Sequence, residues 1–206
     1  MRVIHWGMVD YRVALERQKS LVADVAGGAE PVVVTCEHPL TITLGRRYDE
    51  KNIFLSREIL RQKGFDVLPV DRGGDVTLHA PGQLVIYPVV DLKRMGRDVG
   101  VYLQKLEQAC VDFLKDFGIV AKGDNTRRGV WVGPLKVASI GIGVSRWVTY
   151  HGVGVNITTD LELFKVIRPC GLDIGMTSVK MITARAPSMD EAAAMFSEHC
   201  VRIMNG

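Results

Sequence analysis

The clearest hydrophobic repeat in the chain runs from Val99 to Phe117. Apolar side chains recur there at alternating spacings of four and three residues, which places them on one face of an α-helix. Gly118 follows as a stop signal. The positions on this face are Val99, Leu103, Leu106, Cys110, Phe113 and Phe117. The segment therefore predicts an amphipathic helix with one buried face.

Other segments carry helix signals as well. The run from Val9 to Gly28 reads as a helix that ends at its glycine pair, and LSREILRQKG, from Leu55, predicts a short helix stopped by Gly64. Near the end, SMDE has the spacing of a capping box, with Ser188 and Glu191 at its two ends. It predicts a helix through AAAMFSEHCVRIM.

Between these helices, short β-rich runs predict strands. They are PVVVTCEH, TITLG, FDVLPVD, GDVTLHAPGQLVIYPVVDL (interrupted at Pro81-Gly82), GVWVG and LKVASIGIGVSRWVTYHGVGVNITTD. The strands come in blocks, and a helix does not regularly follow each strand. This pattern favours an α+β fold with a mixed, largely antiparallel sheet flanked by helices. The length of 206 residues fits a single domain over 1–206.

Composition narrows the possible locations and partners. Hydrophobic residues make up 47% and charged residues 24%, which is typical of a globular protein, and no apolar run reaches the length of a membrane span. MRVIHWGMVD meets His5 and Asp10 too early for a signal peptide, so we expect a cytoplasmic protein. The absence of such an apolar run predicts no membrane association. The net charge is +3 without a clustered basic stripe, so we expect no nucleic-acid binding.

The four cysteines differ in their surroundings. Cys110 and Cys200 lie on predicted helical stripes, and Cys36 shares a strand face with valines, so packing explains all three. Cys170 lies between Pro169 and Gly171 in a turn, where a reactive thiol and a structural role are equally compatible with the local sequence. The spacings contain no CxxC pair and no zinc pattern, so we expect free thiols and no metal.

A reactive Cys170 would need a cation beside it, because a thiol is a weak nucleophile until it ionises. Lys136 is a candidate, since its predicted strand face is otherwise apolar. The alternative is that this lysine lies at a strand end and extends to water. His79 and His151 each precede small residues and could line a cleft, although a lone histidine is more often structural.

Taken together, four segments resemble the lipoyl(octanoyl) transferase family, the octanoyltransferases of lipoate biosynthesis. They are EHPLTITLGRR, RGGDVTLHAPGQLVIYPVVDL, GVWVGPLKVASIGIGVSRWVTYHGVGVNI and IRPCGLDIGMTSV. The segments stand in the family's order and at its spacing, and they cover most of the chain. The resemblance implies the fold of biotin and lipoate protein ligases.

The resemblance also implies a reaction, an acyl transfer that needs neither ATP nor metal. An octanoyl group would pass from octanoyl-acyl carrier protein, through a cysteine thioester, to a lysine of a lipoyl domain. The acceptors would be 2-oxoacid dehydrogenase subunits and the glycine cleavage H protein. The basic loops around Arg46, Arg47, Arg127 and Arg128 could receive the acidic carrier protein.

The family's functional residues map onto this chain as follows. Cys170 would be the nucleophile and Lys136 its acid/base partner, with His151 and Asn156 in support. The acyl-substrate contacts would be Arg72, Gly73, Gly74, Asp75, Val76, Thr77, Leu78, His79, Ser139, Ile140, Gly141, Gly152, Val153 and Gly154. We expect the oxyanion to be bound by backbone N–H groups near Gly171 or Leu135-Lys136. Ala80 departs from the family's usual glycine, so its conformation bears on the shape of the acyl pocket.

Two other functions remain open at this stage. An ATP-dependent lipoate or biotin protein ligase would share the fold but would need no cysteine nucleophile. A non-catalytic module that binds lipoyl domains would keep the surface without the Cys170 and Lys136 pair. The presence of both residues favours the transferase.

Overall fold

The computed structural model describes residues 1–124, 126–171 and 174–205, apart from the side chain of Cys170. The strands are β1 (Arg2–Met8), β2 (Val32–Glu37), β3 (Thr41–Leu44), β4 (Asp66–Pro69), β5 (Val76–His79), β6 (Gln83–Val89), β7 (Lys122–Gly123), β8 (Val130–Val132), β9 (Leu135–Ser145) and β10 (Val148–Asn156). The helices are α1 (Tyr11–Ala26), α2 (Arg57–Gln62), α3 (Val99–Lys115), α4 (Val179–Thr183) and α5 (Met189–Asn205).

In the described part of the chain, the strands form two sheets. The seven-stranded sheet has the order β1-β2-β6-β10-β9-β8-β7, and the three-stranded sheet has the order β4-β3-β5. β1 pairs with β2, and β3 with β4, in parallel, whereas the other neighbouring strands run antiparallel. The predicted α+β class with a largely antiparallel sheet is confirmed.

Helices α3 and α5 cover one face of the large sheet. The apolar stripe of α3 contributes Leu106, Cys110 and Phe113 to the main core, and Phe113 packs on Phe196 of α5 with ring centroids 5.3 Å apart. The capping box of α5 is formed, because Ser188 N donates to the carboxylate of Glu191 over 2.8 Å. The periodicity of these two helices therefore predicted their buried faces correctly.

A second, smaller core lies under the three-stranded sheet. It contains Ile42, Leu60, Val76, Leu78 and Phe164. Helix α1 packs on the large sheet through a further apolar cluster that includes Ala14 and Cys36.

Strands β1 and β7 and helix α4 lack a sequence signal, and β7 is only two residues long. Strand β1 has mostly exposed side chains, so no in-out alternation marks it. Helix α4 is only five residues long, too short for a helical period to appear. None of the helices in the described ranges combines the length and the apolar character needed to cross a membrane.

Candidate active site

A cavity of about 540 Å³ opens between the two sheets. Its walls bring together residues that are far apart in the sequence. Of the residues expected to contact substrate, it is lined by Arg72, Gly73, Gly74, Asp75, Thr77, His79, Ser139, Ile140, Gly141, Gly152, Val153 and Gly154. His151 lines it as well. The three segments singled out from the sequence therefore share one cavity.

Two of the residues expected to contact the substrate, both on β5, do not line the cavity. Thr77 and His79 face the cavity, whereas Val76 and Leu78 are fully buried in the second core. Successive side chains of a strand point to opposite sides, and in β5 this places the side chains of Val76 and Leu78 on the face away from the cavity. We therefore place Val76 and Leu78 in the supporting core rather than in the site.

The Arg72 side chain is held against β3. Its Nη2 donates to the Thr43 carbonyl over 2.8 Å and to Thr43 Oγ1 over 2.9 Å. The next residue, Gly73, donates its N–H to the Ile142 carbonyl over 2.8 Å. These bonds tie the Gly-rich loop to both sheets and fix one wall of the cavity.

The glycines of β9 and β10 allow close packing of the walls. A Cβ on Gly152 would collide with the Ile86 carbonyl oxygen, and one on Gly154 would lie 2.9 Å from Gln83 Oε1. A Cβ on Gly141 would lie 3.0 Å from the Gly73 carbonyl oxygen. These glycines thus bring protein groups together, in addition to keeping the cavity lining free of side chains.

His151 belongs to a buried network on the cavity wall. Its Nε2 and Oδ1 of Asp71 are 2.9 Å apart, and its Nδ1 is 3.1 Å from the Tyr11 hydroxyl. The hydrogen bond from His151 lowers the pKa of the Asp71 carboxyl, while burial lowers the pKa of His151. An ionised Asp71 can only accept, so the neutral imidazole carries its hydrogen on Nε2 and accepts from Tyr11. His151 also has φ of 56°, an uncommon conformation for a residue with a side chain.

His79 lies in a second network. Its Nδ1 is 2.8 Å from Gln83 Oε1, and Gln83 Nε2 donates to Asn156 Oδ1 over 3.0 Å. Asn156 in turn donates to the Thr177 carbonyl over 3.1 Å. Burial holds the pKa of His79 well below its usual value, so the ring is neutral near pH 7. Asn156 thus connects the cavity wall to the chain that follows Cys170.

Lys136 is fully buried, with 0% exposure, so the alternative of a lysine extending to water is wrong. Its N–H donates to the Gly175 carbonyl over 3.0 Å, and its carbonyl accepts from Thr177 N over 2.9 Å. The segment after Cys170 therefore pairs directly with the strand that carries Lys136.

Cys170 lies in a 3₁₀ turn, Pro169–Gly171, and its side chain falls outside the described part of the structure. Gly171 follows with φ of 68°, the left-handed conformation that glycine allows. A Cβ on Gly171 would come within 2.7 Å of Asp75 Oδ2 and 3.2 Å of Asn52 Nδ2. The turn is thus packed against residues of the cavity wall.

The other three thiols are buried, as their positions predicted. Burial raises the pKa of Cys36 and of Cys110, and it raises the pKa of Cys200 to about 12. None of the three has the ionised form that a nucleophile requires near pH 7.

Two expectations concern the backbone. The N–H groups of Lys136 and Gly171 already donate to the carbonyls of Gly175 and Arg168, so neither points to an oxyanion in this structure. Ala80 is fully buried and is not among the described residues with positive φ. Its methyl group therefore fits without backbone strain.

Several cavity residues were missed by the sequence reasoning. They are Tyr11, Gln83, Val85, Tyr87, Leu103 and Ile142. Tyr11 and Leu103 had been placed only on predicted helices, with no signal that these helices reach the cavity. Gln83 stood in the HAPGQ motif, where its polar side chain beside a turn was the available signal.

The mouth of the cavity is basic. Arg47, Arg127 and Arg128 line it from two different loops. Arg127 pairs with Asp124 over 2.9 Å, and Arg128 with Glu107 over 3.4 Å.

In the described ranges, no group of three His, Cys, Asp or Glu side chains is arranged to hold a metal ion.

Comparison with known proteins places this site in a family. The model of the lipoyl protein ligase A/B catalytic domain matches residues 10–201. An octanoyltransferase from Solibacter usitatus (strain Ellin6076) is 46% identical over 200 residues, covering 97% of this chain and 90% of the relative. The chain belongs to the octanoyltransferases of the lipoyl protein ligase A/B family. It is accordingly an acyltransferase, as its motifs indicated.

Solved structures confirm the fold of this octanoyltransferase. Lipoate-protein ligase A bound with ATP superposes with a TM-score of 0.79 at 14% identity, covering 99% of this chain and 85% of the ligase. The biotin protein ligase from Aquifex aeolicus gives a TM-score of 0.57 at 11% identity, covering 100% of this chain and 69% of the ligase. The ligase-like fold is therefore confirmed.

Proposed function

We propose that this octanoyltransferase takes its octanoyl group from acyl carrier protein and passes it to a lysine of a lipoyl domain. In this proposal residues 1–206 act as one catalytic domain, with Cys170 as nucleophile and Lys136 as acid/base. The main support is the complete burial of Lys136, on the strand that pairs with the segment following Cys170. The acceptors would be the lipoyl domains of 2-oxoacid dehydrogenases and the glycine cleavage H protein.

In the first half-reaction, the Cys170 thiolate attacks the carbonyl carbon of the donor thioester. The new C–S bond forms as a tetrahedral oxyanion develops. Its collapse breaks the bond to the phosphopantetheine sulfur, and this leaving thiolate takes a proton from the ammonium of Lys136. The products are acyl-Cys170, free carrier thiol and neutral Lys136, so charge and protons balance.

In the second half-reaction, neutral Lys136 takes a proton from the incoming lysine amine as that nitrogen attacks the acyl-Cys170 carbonyl. Collapse of the second tetrahedral intermediate forms the amide and expels the Cys170 thiolate. Lys136 is again an ammonium, and the enzyme returns to its starting state.

The reaction in this form needs no nucleotide and no metal. The donor thioester is already activated, and exchange of one thioester for another is close to neutral in free energy. Formation of the amide then supplies the driving force. In this proposal His79 and His151 shape and orient the site rather than act as the base, since burial lowers the pKa of both rings and makes them weak proton acceptors.

The test is to incubate the enzyme with octanoyl-acyl carrier protein and no acceptor. The intact mass should rise by one octanoyl group, peptide mapping should place it on Cys170, and added apo-lipoyl domain should remove it. Cys170→Ser should lose the adduct and most transfer, because a hydroxyl is far harder to ionise than a thiol. An adduct on Cys36, Cys110 or Cys200 would contradict the assignment.

A further inference from the structure

The Lys136 side chain lies in a slot made by strand β8 and the residue before it. A Cβ on Gly129 would overlap Cε of Lys136 and would lie 3.1 Å from Nζ. Gly129 also has φ of 137°, a conformation that side chains rarely adopt. The lysine thus occupies the space that any other residue at position 129 would fill.

Trp131 forms a further wall of this slot. It pairs with Lys136 across the β8–β9 ladder, next to a register shift between Val130 and Trp131. The Lys136 Nζ lies 5.3 Å from the centre of the indole, within the range of a cation–π interaction. Both side chains have 0% exposure, so the ring also shields one side of the amine from water.

A second cation contacts the same ring. The Arg127 guanidinium lies 4.2 Å from the indole centre, and its Nε donates to Asp124 over 2.9 Å. Asp124 also accepts from the N–H of Thr126 and of Arg127, which holds the Arg127 backbone beside this carboxylate. The loop that bears Arg127 therefore packs on the indole next to the cavity mouth.

Burial of the Trp131 indole costs free energy, because it leaves a polar N–H group unpaired. Its Nε1 is buried without a hydrogen-bond partner among the described residues. An aliphatic side chain would fill buried space without that unpaired donor. What the indole adds is a large aromatic face toward Lys136.

We propose that Trp131 is a positioning residue, whose indole face holds the Lys136 amine in the slot beside Gly129. Its effect on catalysis rests on the proposed function, since it acts through the lysine that serves Cys170. Its effect on the reactivity of the Cys170 thiol can be measured without any acyl substrate.

The first experiment compares Trp131→Leu with Trp131→Phe. The leucine variant should slow single-turnover acylation of Cys170 at least tenfold while the donor KM changes less than twofold. The phenylalanine variant keeps an aromatic face and should recover most of the rate. If the leucine variant does not fold, Trp131→Met replaces it, since a flexible side chain fills irregular space.

The second experiment is a double-mutant cycle on iodoacetamide alkylation of Cys170 as a function of pH, located by peptide mapping. Trp131→Leu should shift the profile in the same direction as Lys136→Met, and should add nothing in the Lys136→Met background. Trp147→Leu is the control, because this indole also contacts a cation, with Arg97 5.7 Å from its centre. Trp147 lies in the turn between β9 and β10, at the other end of β9 from Lys136.

Three outcomes would overturn the proposal. They are an unchanged alkylation profile in Trp131→Leu, an equal shift with and without Lys136, and a failure of Trp131→Phe to recover more than the aliphatic variants. If instead the cycle shows coupling but no octanoyl transfer occurs, positioning by Trp131 stands and the proposed reaction fails.

Discussion

The side-chain amide of Asn52 donates to Oδ2 of Asp75 over 2.6 Å, directly beside the turn that carries Cys170. The Asn52 carbonyl accepts from Arg168 N over 2.7 Å, and Gly171 packs against both side chains. Asn52 and Asp75 therefore form a clamp that ties this turn to the cavity wall. Only Asp75 belonged to a motif that the sequence singled out.

The clamp predicts an effect of Asn52→Ala on acylation. The variant removes a donor from Asp75 and should loosen the Cys170 turn, slowing single-turnover acylation about tenfold with a smaller change in donor KM. It should cost about 1 kcal/mol of unfolding free energy. Gly171→Ala should have at least as large an effect, because the added Cβ meets the clamp at a positive φ. A wild-type acylation rate in Asn52→Ala would show that the turn does not need the clamp.

Replacement of Lys136 should separate its charge from its proton transfer. Lys136→Met removes both, so alkylation of Cys170 should require a higher pH and both half-reactions should slow. Lys136→Arg keeps a cation but cannot serve as a base, so it should preserve more of the thiol reactivity than of the transfer to amine. Rapid-quench assays of each half-reaction measure this difference, and equal losses in both variants would exclude a role for the charge alone.

Octanoylation of a lipoyl domain should proceed in EDTA without any nucleotide. The donor thioester supplies the activation that a ligase obtains from ATP. The measurement is the mass of the lipoyl domain after incubation with enzyme and octanoyl-acyl carrier protein, with and without ATP and magnesium. A strict ATP requirement would instead support the ligase chemistry of the proteins that share this fold.

Charge reversal at the cavity mouth should weaken use of the donor. Arg47 is exposed on the lining of the cavity, so Arg47→Glu should raise the KM for an acidic carrier protein severalfold at low salt. The difference from wild type should shrink at high salt, because exposed charges are screened. Arg94→Glu, at an exposed position away from the cavity lining, is the matched control. Equal donor KM values for both variants would place the carrier elsewhere.

Acid should destabilise the fold through its buried histidines. Desolvation lowers the pKa of His38 to about 4, while its Nδ1 bonds the Val9 carbonyl over 2.7 Å. Because the unfolded imidazole binds a proton near pH 6.5, stability falls as pH drops from there toward 4. Between pH 7 and pH 4.5 this one group should account for about 2 kcal/mol.

Urea unfolding at the two pH values measures this loss. His38→Gln should be less stable at pH 7 but should lose less stability on acidification than wild type. An unaltered pH dependence in His38→Gln would mean that other groups account for the acid sensitivity.

Elements with local signals could be predicted from the amino-acid pattern alone. The four-three spacing along α3, the capping box at Ser188 and the break at Pro81-Gly82 each lie within a few residues of the structure they specify. The packing roles of Cys36, Cys110 and Cys200 followed from the same periodicities. Strand β1 was missed because its exposed side chains carry no alternation.

The contacts between distant chemical groups became visible only in the folded protein. Tyr11 and His151 are 140 positions apart in the chain, and no local pattern could have joined them. The two possible environments of Lys136 were also equivalent in the sequence, because a lysine on an apolar strand face can be buried or can extend to water. Its burial depends on Gly129 and Trp131, which reach it only once β8 pairs with β9. Long-range contacts of this kind arise from packing and strand register, which a local pattern does not encode.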